Sequence, residues 1–211
     1  MNNEPVQNVF VVDDDADVRD SLKWLLESVG LQTVTYDSAQ HFLESCSVDA
    51  QGCILMDVRM PGMSGLSAQK KLFERGISLP LIMISGHADV DMAVTAMTQG
   101  ALTFLQKPFS DQALIDHVQQ ALLLNLNSWK QALQVRDVRA HYQSLTKRER
   151  QVFEGVVAGH ANQEIADLLG INRKTVEGHR SHMMAKMQAS SLSELIQMSV
   201  ALGLVKSFGQ N

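Results

Sequence analysis

Short apolar runs alternate with stretches of helical periodicity through roughly the first 125 residues. The predicted strands are Val9–Val12, Gln32–Tyr36, Cys53–Met56, Leu81–Ser85 and Thr103–Gln106. The predicted helices between them are Asp17–Val29, Ser38–Cys46, Ser64–Arg75 and Asp89–Gln99, with Gly30, Gly76 and Gly100 expected as left-handed ends. Such alternation, with strands too apolar for a sheet that has one face in water, is typical of parallel sheets. The pattern predicts a five-stranded parallel α/β domain.

A purely helical pattern begins at Ser110. Apolar residues recur at helical spacing from Ile115 to Leu133, and neither Gly nor Pro interrupts residues 110–141. We predict one helix to about residue 141 that is both the last helix of the sheet domain and a linker. The alternative is a short final helix followed by a frayed linker. An apolar stripe exposed beyond the sheet domain would favour pairing with a second chain.

Residues 144–211 also have a helical pattern. Two capping-box patterns precede predicted helices, Thr146 with Glu149 and Ser191 with Glu194. Asn162 is expected to cap a short helix, Gly170 lies in the turn that follows, and Asn172 is expected to cap a longer helix. A short helix, a glycine turn and a longer helix are the pattern of a helix-turn-helix.

Charge divides the chain into two halves. Its 211 residues are 45% hydrophobic and 19% charged, which fits one or two domains with packed cores. Residues 1–124 carry 7 basic and 16 acidic side chains, whereas residues 144–211 carry 8 basic and 6 acidic ones. A polyanionic partner is therefore expected on the second half.

Two functional classes are disfavoured by simple features of the chain. Cys46 and Cys53 are the only cysteines, and no Cys or His spacing suggests zinc. The N-terminus lacks a basic segment, and its first apolar run is four residues long and ends in three aspartates. We therefore expect no signal peptide, no membrane partner and a cytoplasmic location.

Polar side chains follow four of the predicted strands. Asp13 and Asp14 come after the first strand, Asp57 after the third, Ser85 ends the fourth, and Lys107 follows the fifth. In an open parallel sheet these strand ends meet at one edge. Crowded carboxylates raise one another's pKa unless a cation neutralises them, and Mg²⁺ suits a site where a phosphoryl group supplies further oxygens. Nucleophile, metal, cation and donor are the parts required for phosphoryl transfer to a carboxylate.

This motif set resembles the receiver domain of bacterial two-component response regulators, which has a flavodoxin-like (βα)5 fold. The matching residues are Asp13-Asp14, Asp57, Ser85-Gly86-His87, Phe104 and Lys107-Pro108, within residues 6 to about 124. The resemblance implies that Asp57 accepts a phosphoryl group from a sensor histidine kinase. It also implies a Mg²⁺ cofactor held by Asp13, Asp14, Asp57 and the backbone carbonyl of Arg59.

The resemblance assigns further roles around Asp57. Ser85 and Phe104 are expected to be the switch pair, the hydroxyl moving toward the phosphoryl group and the ring rotating inward. Lys107 is expected to contact a phosphoryl oxygen, and the Lys107-Pro108 bond to be cis. Arg59 and His87 flank the site and are expected to tune the lifetime of the phosphoryl group.

The second half resembles the all-α, four-helix LuxR/NarL-type helix-turn-helix domain. The motifs are Leu145-Thr146-Lys147-Arg148-Glu149-Arg150, Asn162-Gln163-Glu164-Ile165-Ala166 and Thr175-Val176-Glu177-Gly178-His179-Arg180, within residues 144 to about 202. In the recognition helix, Val176, Met183 and Met187 should pack inward, and Lys174, Gly178, Ser181 and Ala185 should face a major groove. The expected DNA contacts are Arg173, Lys174, Thr175, Glu177, Gly178, Arg180, Ser181 and Lys186, of which Glu177, Gly178 and Ser181 match base-reading positions and the basic residues contact phosphates.

Together the two halves resemble the NarL/FixJ family of response regulators, with a narrower resemblance to tetrathionate-respiration regulators. The expected domains are a receiver at 1–124, a helical linker at 125–143 and a DNA-binding domain at 144–211. The family implies a regulator rather than an enzyme, which dimerises on phosphorylation, binds promoter DNA and activates RNA polymerase, on anaerobic respiration genes if the narrower resemblance holds.

Three alternatives stay open. A haloacid-dehalogenase-type phosphatase would use Asp13 as nucleophile, but it requires a later Gly-Asp pair that the sequence lacks. An autoinducer-binding LuxR receptor shares the helical tail but requires a ligand pocket in place of the acidic set. A regulator that works without phosphorylation would use the first half as an interaction module only.

Overall fold

The computed structural model describes residues 4–86 and 90–204. His87 and the predicted helix start at Asp89 lie outside these residues. The chain divides into two compact units, residues 1–128 and 129–211. None of the helices within the described residues combines the length and the hydropathy that crossing a membrane requires.

The first unit contains a five-stranded parallel sheet in the order β2-β1-β3-β4-β5. Its strands are β1 (Asn8–Val12), β2 (Gln32–Tyr36), β3 (Gly52–Asp57), β4 (Leu81–Ser85) and β5 (Thr103–Gln106). Its helices are α1 (Ala16–Ser28), α2 (Ala39–Ser45), α3 (Gly65–Glu74), α4 (Val90–Thr98) and the first part of α5 (Asp111–Gln143). The predicted parallel α/β fold is confirmed.

Strands β1, β3 and β4 are buried on both faces, which explains their almost uninterrupted apolar sequences. Successive residues of a strand point to opposite faces. Ile54 therefore joins a core with Phe10 and Phe42, whereas Leu55 joins a second core with Leu26. Cys53 is fully buried in β3, and its burial raises the pKa of the thiol to about 12.

Two local features fix the edges of this unit. Gly30, Gly76 and Gly100 have φ values of 81°, 71° and 92°, which confirms the predicted left-handed helix ends. Asn125, which is 8% exposed, accepts hydrogen bonds through Oδ1 from Gly52 N at 2.8 Å and Gln7 Nε2 at 3.1 Å. This side chain attaches α5 to the amino ends of β1 and β3.

Helix α5 runs without a break from Asp111 to Gln143, which confirms the long helix over the frayed alternative. Leu114 and Val118 pack in the core of the first unit. Near its end, Val138 and Tyr142 pack against the core of the second unit.

The second unit is helical throughout its described residues. It contains the end of α5, then α6 (Lys147–Val157), α7 (Asn162–Leu169), α8 (Arg173–Met187) and α9 (Leu192–Ala201). Its core includes Phe153, Ile165, Val176 and Leu195. The predicted four-helix domain with its helix-turn-helix is confirmed, because α7 ends at the left-handed Gly170 and α8 begins at an Asn172 cap.

The capping predictions had mixed outcomes. The Thr146 box is complete, since Thr146 N donates to Glu149 Oε2 and Glu149 N donates to Thr146 Oγ1. Asn162 was wrongly predicted as a cap, because Ala161 holds that position and the Asn162 side chain accepts from Arg180 instead. The second box is half formed, because the Glu194 carboxylate accepts from Ser190 rather than from Ser191.

Candidate functional site

Three strand ends meet at the carboxyl edge of the sheet. Asp13 follows β1, Asp57 ends β3, and Lys107 follows β5. Lys107 Nζ donates to Asp13 Oδ2 at 2.8 Å and to Asp57 Oδ1 at 3.0 Å. The two carboxylates are 3% and 8% exposed. The fold therefore brings residues up to 94 positions apart into one partly buried charge cluster.

The electrostatics of this cluster are unbalanced. Loss of hydration raises the pKa of Asp57, and the nearby charge of Asp13 adds to that effect. Hydrogen bonds from Lys107 and from the Arg59 amide, 2.6 Å from Asp57 Oδ2, oppose the rise without cancelling it. Loss of hydration would lower the pKa of Lys107, but its bonds to the two carboxylates raise it instead. Lys107 is therefore held as a cation beside a carboxylate that is incompletely compensated.

The neighbouring predicted residues are arranged as follows. Asp14 is exposed, next to the buried Asp13. Ser85 is 1% exposed at the end of β4, and its carbonyl accepts from the Lys107 amide at 2.8 Å. Phe104 is half-buried against the apolar core that contains Phe10. The Lys107-Pro108 bond is cis, as expected.

Asp15 and Arg19 were missed in reading the sequence. Arg19 Nη1 donates to the backbone carbonyl of Asp13 at 2.7 Å. The Asp15 amide donates to Asp13 Oδ1 at 3.0 Å, and the Asp15 side chain caps α1. The third aspartate in the run signalled a helix cap, but no pattern pointed from Arg19 to a carbonyl six residues earlier.

The oxygen donors of this cluster fit Mg²⁺. Among the described residues, no three Asp, Glu, His or Cys side chains lie close enough together to enclose a metal ion. Mg²⁺ does not require such a cage, because it is usually bound by one or two carboxylates together with water and phosphate oxygens. Asp13 and Asp57, joined through Lys107, provide two carboxylates at one point.

The second candidate surface is one face of α8. Val176, Met183 and Met187 are completely buried. The opposite stripe, Lys174, Gly178, Ser181 and Ala185, is exposed. A Cβ added at Gly178 would meet only open space. The helix therefore presents the residues that were expected to face DNA.

The polar residues of α8 differ in their availability. Arg173 pairs with Glu177 at 2.9 Å on the exposed face, and Arg180 Nη1 donates to Asn162 Oδ1 at 2.8 Å. Lys186 donates to the buried carboxylate of Glu149 at 2.7 Å, which joins α8 to α6. This bond stabilises the domain, and the Lys186 side chain is still 37% exposed. The Thr175 hydroxyl likewise donates to Asn172, at the cap of its own helix.

Comparison with known proteins identifies both halves. Residues 9–119 match the response regulator receiver domain, and residues 143–199 match the luxR family of bacterial regulatory proteins. The chain belongs to the NarL/FixJ family of response regulators. Relatives with this pair of domains are transcriptional regulators, which points away from an enzyme.

Relatives match almost the whole chain. The transcriptional regulatory protein FixJ of Bradyrhizobium diazoefficiens is 40% identical over 198 residues, which are 94% of this chain and 97% of the relative. The response regulator protein TodT of Pseudomonas putida is 40% identical over 194 residues, 92% of this chain and 86% of the relative. The narrower resemblance to tetrathionate-respiration regulators finds no support among such relatives.

Solved structures of response regulators also match almost the whole chain. The response regulator StyR is 42% identical with a TM-score of 0.82, and the match covers 92% of this chain and 98% of that one. Full-length FixJ from B. japonicum is 40% identical with a TM-score of 0.57, covering 94% of this chain and 98% of that one. This response regulator therefore shares both domains with structurally known members.

Proposed function

We propose that Asp57 accepts a phosphoryl group from a sensor histidine kinase and that phosphorylation turns on promoter binding by the second half. The observation that carries this proposal is Lys107 bridging the buried Asp13 and Asp57 at 2.8 and 3.0 Å. The proposed domains are a receiver at 1–124, a helical linker at 125–143 and a DNA-binding domain at 144–211. This division is supported by the two family matches, at 9–119 and 143–199.

In the proposed reaction, an oxygen of Asp57 attacks the phosphorus of a phosphohistidine. A P–O bond forms, the P–N bond breaks, and its electron pair remains on the imidazole. Lys107 keeps Asp57 ionised and positioned, while the Arg59 amide holds Oδ2. The proposed Mg²⁺ ligands are Asp13, Asp14, Asp57 and the Arg59 carbonyl. When bound, the ion would neutralise developing charge on the phosphoryl oxygens.

The proposed response begins next to Asp57. Ser85 ends the strand adjacent to β3, so its hydroxyl is proposed to donate to a phosphoryl oxygen. Phe104 lies one strand further and is only half-buried, and its ring is proposed to rotate inward. These two residues form the proposed switch pair.

The proposed output is DNA binding through α8. Glu177, Gly178 and Ser181 are the proposed base contacts. The proposed phosphate contacts are Arg173, Lys174, Arg180 and Lys186, and Thr175 is a further proposed DNA contact. Few cations per chain imply weak binding by one copy, so a phosphorylation-induced dimer on a two-fold operator is proposed. Access to promoter DNA and RNA polymerase places the proposed action in the cytoplasm, with activation as the outcome by family analogy.

An Asp57→Asn variant tests the proposal. The wild-type chain should be labelled by acetyl phosphate with Mg²⁺ and should bind its own upstream DNA more tightly when treated with beryllofluoride. Asp57→Asn should lose both responses, because its amide is a poor nucleophile. Asp49→Asn, at an exposed loop aspartate, is the matched control and should retain both.

Two results would contradict the proposal. Labelling of Asp57→Asn at the wild-type rate would exclude Asp57 as the acceptor. Equal DNA binding by wild-type protein with and without beryllofluoride would favour a regulator that works without phosphorylation.

A further inference from the structure

Arg19, on α1, reaches back to the backbone at the end of β1. Its Nη1 donates to the Asp13 carbonyl at 2.7 Å, and the side chain is half-buried. The Asp13 amide donates in turn to the Tyr36 carbonyl, at the end of β2, at 3.2 Å. The backbone of Asp13 is therefore held on one side by the neighbouring strand and on the other by the arginine.

The Arg19 bond also fixes the backbone that leads to Asp14. A peptide group is planar, so the Asp13 carbonyl and the Asp14 N and Cα atoms lie in one plane. The Asp14 carboxylate is exposed and, among the described residues, makes no hydrogen bond or ion pair of its own. The position of this carboxylate therefore depends on the backbone, and so on the bond that holds the Asp13 carbonyl.

The Asp13 carboxylate has two donors of its own. The Asp15 amide donates to Oδ1 at 3.0 Å, and Lys107 Nζ donates to Oδ2 at 2.8 Å. The Asp15 amide lies one residue beyond Asp14, so a rotation of the backbone at Asp14 would move this donor as well. Arg19 comes from the body of α1 and holds the turn independently of both bonds.

We propose that Arg19 is a positioning residue for Mg²⁺ binding. By holding the Asp13 carbonyl, it keeps the carboxylates of Asp13 and Asp14 directed at a common point. This inference rests on the proposed function, which assigns both acids to the metal. Groups that orient metal ligands without contacting the metal commonly contribute roughly 10- to 100-fold to metal affinity.

The charge of Arg19 acts in the opposite direction from its hydrogen bond. A guanidinium is permanently positive, so it repels a divalent cation bound at the neighbouring aspartates. Removal of Arg19 would tighten Mg²⁺ binding if only its charge mattered, and would weaken it if its hydrogen bond positions the acids. The sign of the change therefore separates the two effects.

Titration of the full-length, ¹⁵N-labelled protein with Mg²⁺, followed by NMR at the Asp14 and Asp15 amides, measures this change. Arg19→Met removes the charge and the donors but keeps an unbranched side chain. It should weaken Mg²⁺ binding about tenfold, near the lower end of the range for orienting groups, because the Asp13 carboxylate keeps two donors. Arg19→Lys keeps a cation and a donor, so its affinity should lie between those of Arg19→Met and the wild type.

Arg75→Met is the matched control. Arg75 Nη1 also donates to a backbone carbonyl, that of Leu43, but this bond joins the end of α3 to α2 rather than to a strand end beside Asp57. The variant should lose stability in hydrogen exchange and still bind Mg²⁺ with wild-type affinity. Loss of an arginine–carbonyl bond by itself is thereby separated from loss of the one at Asp13.

Labelling by acetyl phosphate gives a second measurement. In Arg19→Met, the Mg²⁺ concentration that gives half-maximal labelling should rise about tenfold. The rate at saturating Mg²⁺ should stay near that of the wild type, because the bond between Lys107 and Asp57 is retained. A purely structural role would lower the rate at all Mg²⁺ concentrations without shifting the midpoint.

Equal Mg²⁺ affinity in Arg19→Met and wild type would overturn the inference, and so would tighter binding, which would leave only the charge effect. If Arg19→Met failed to fold, wild-type affinity in Arg19→Lys would overturn it instead. Absence of Mg²⁺ binding to the wild-type protein would reject the proposed metal ligands together with this inference. The first two results leave the proposed function intact, so the two failures are distinguishable.

Discussion

Each unit contains a lysine bonded to a buried acid, but the pKa of one acid is raised and the pKa of the other is lowered. In the receiver, loss of hydration raises the pKa of Asp57 although Lys107 lies 3.0 Å away. In the second unit, loss of hydration acts in the same sense, but hydrogen bonds from Lys186 and Thr146 lower the pKa of Glu149 to about 2.

Each acid accepts from one lysine and one backbone amide, so the contrast lies in how far these bonds offset the loss of hydration. Lys107 is shared between Asp57 and Asp13, and the second carboxylate repels the first. Lys186 bonds to Glu149, which also accepts from the Thr146 amide at 2.8 Å. An acid whose ionised form is incompletely compensated is ready for a further cation or phosphoryl group, whereas a fully compensated acid stabilises the fold. The same residue types thus indicate function in one unit and stability in the other.

Substituting the two lysines should produce the largest contrast. Lys107→Gln should slow labelling by acetyl phosphate about 100-fold, the usual loss when a charge-stabilising donor is removed from a reaction site. Lys186→Gln should leave labelling unchanged and destabilise only the second unit. Measured labelling rates and hydrogen exchange for both variants check this; similar rates would mean that Lys107 has no special role.

Glu149→Gln should be the most destabilising of the substitutions proposed for the second unit. It leaves Lys186 without its anion, and we expect the free energy of unfolding to fall by about 2 kcal/mol. This is less than for a fully buried pair, because the Lys186 side chain is 37% exposed. Hydrogen exchange of α6 amides measures the loss. Glu154→Gln, an exposed glutamate of the same helix, is the control and should have little effect.

Lowering the pH should destabilise the second unit by protonating the Glu149 carboxylate. The folded pKa of Glu149 is about 2, below its ordinary value of 4.5. Its contribution to stability is therefore fully present above about pH 4.5 and is lost as the pH falls toward 2. The exchange rates of α6 amides in wild-type protein should rise through this range, and those of Glu149→Gln should change less. Identical pH profiles would exclude Glu149 as the group responsible.

Substituting two glycines inside helices should have a smaller effect on stability, and it compares an exposed position with a packed one. Gly178→Ala should stabilise α8 by about 1 kcal/mol, because the new Cβ meets open space. Gly155→Ala should gain less or be destabilising, because its Cβ would lie 2.8 Å from Ile165 Cγ1. If the Gly178 backbone approaches DNA closely, that variant should bind its operator more weakly despite greater stability. Unchanged DNA affinity would remove Gly178 from the contact surface.

The smallest expected stability effect concerns the exposed Arg173–Glu177 pair. Arg173→Gln should reduce stability by only about 0.3–0.5 kcal/mol. If Arg173 contacts a phosphate, the slope of log affinity against log salt should also fall by about 0.9 per chain. Thermal unfolding and DNA binding at several salt concentrations measure both quantities. An unchanged slope would assign Arg173 to the helix surface alone.

Much of the fold was predictable because it follows from local patterns. Three of the strands are apolar on both faces, and glycines with positive φ follow α1, α3 and α4. All five strands lie within a residue of their predicted bounds. The convergence of Asp13, Asp57 and Lys107 was also predictable, since each follows or ends a parallel strand.

The features that were not predicted depend on contacts between residues far apart in the sequence, which hydrophobic periodicity does not identify. Lys186 and Glu149 are 37 positions apart, and nothing in the spacing of α8 indicates that one of its cations faces inward. Asn125 is 73 positions from Gly52, and its sequence context looks like a linker. Asn162 was misassigned because its side chain has a distant donor, Arg180, rather than the amides of its own helix.

The buried thiol of Cys53 can be used to measure how often the core of the receiver opens. Only a thiolate reacts readily with alkylating reagents, and this thiol is both inaccessible and, with a pKa of about 12, protonated under ordinary conditions. Its modification therefore requires the helices that cover this face of the sheet, α1 and α5, to separate from β3. Because β3 also ends in Asp57, the rate of alkylation with and without beryllofluoride would measure how far occupation of the Asp57 site stabilises this packing.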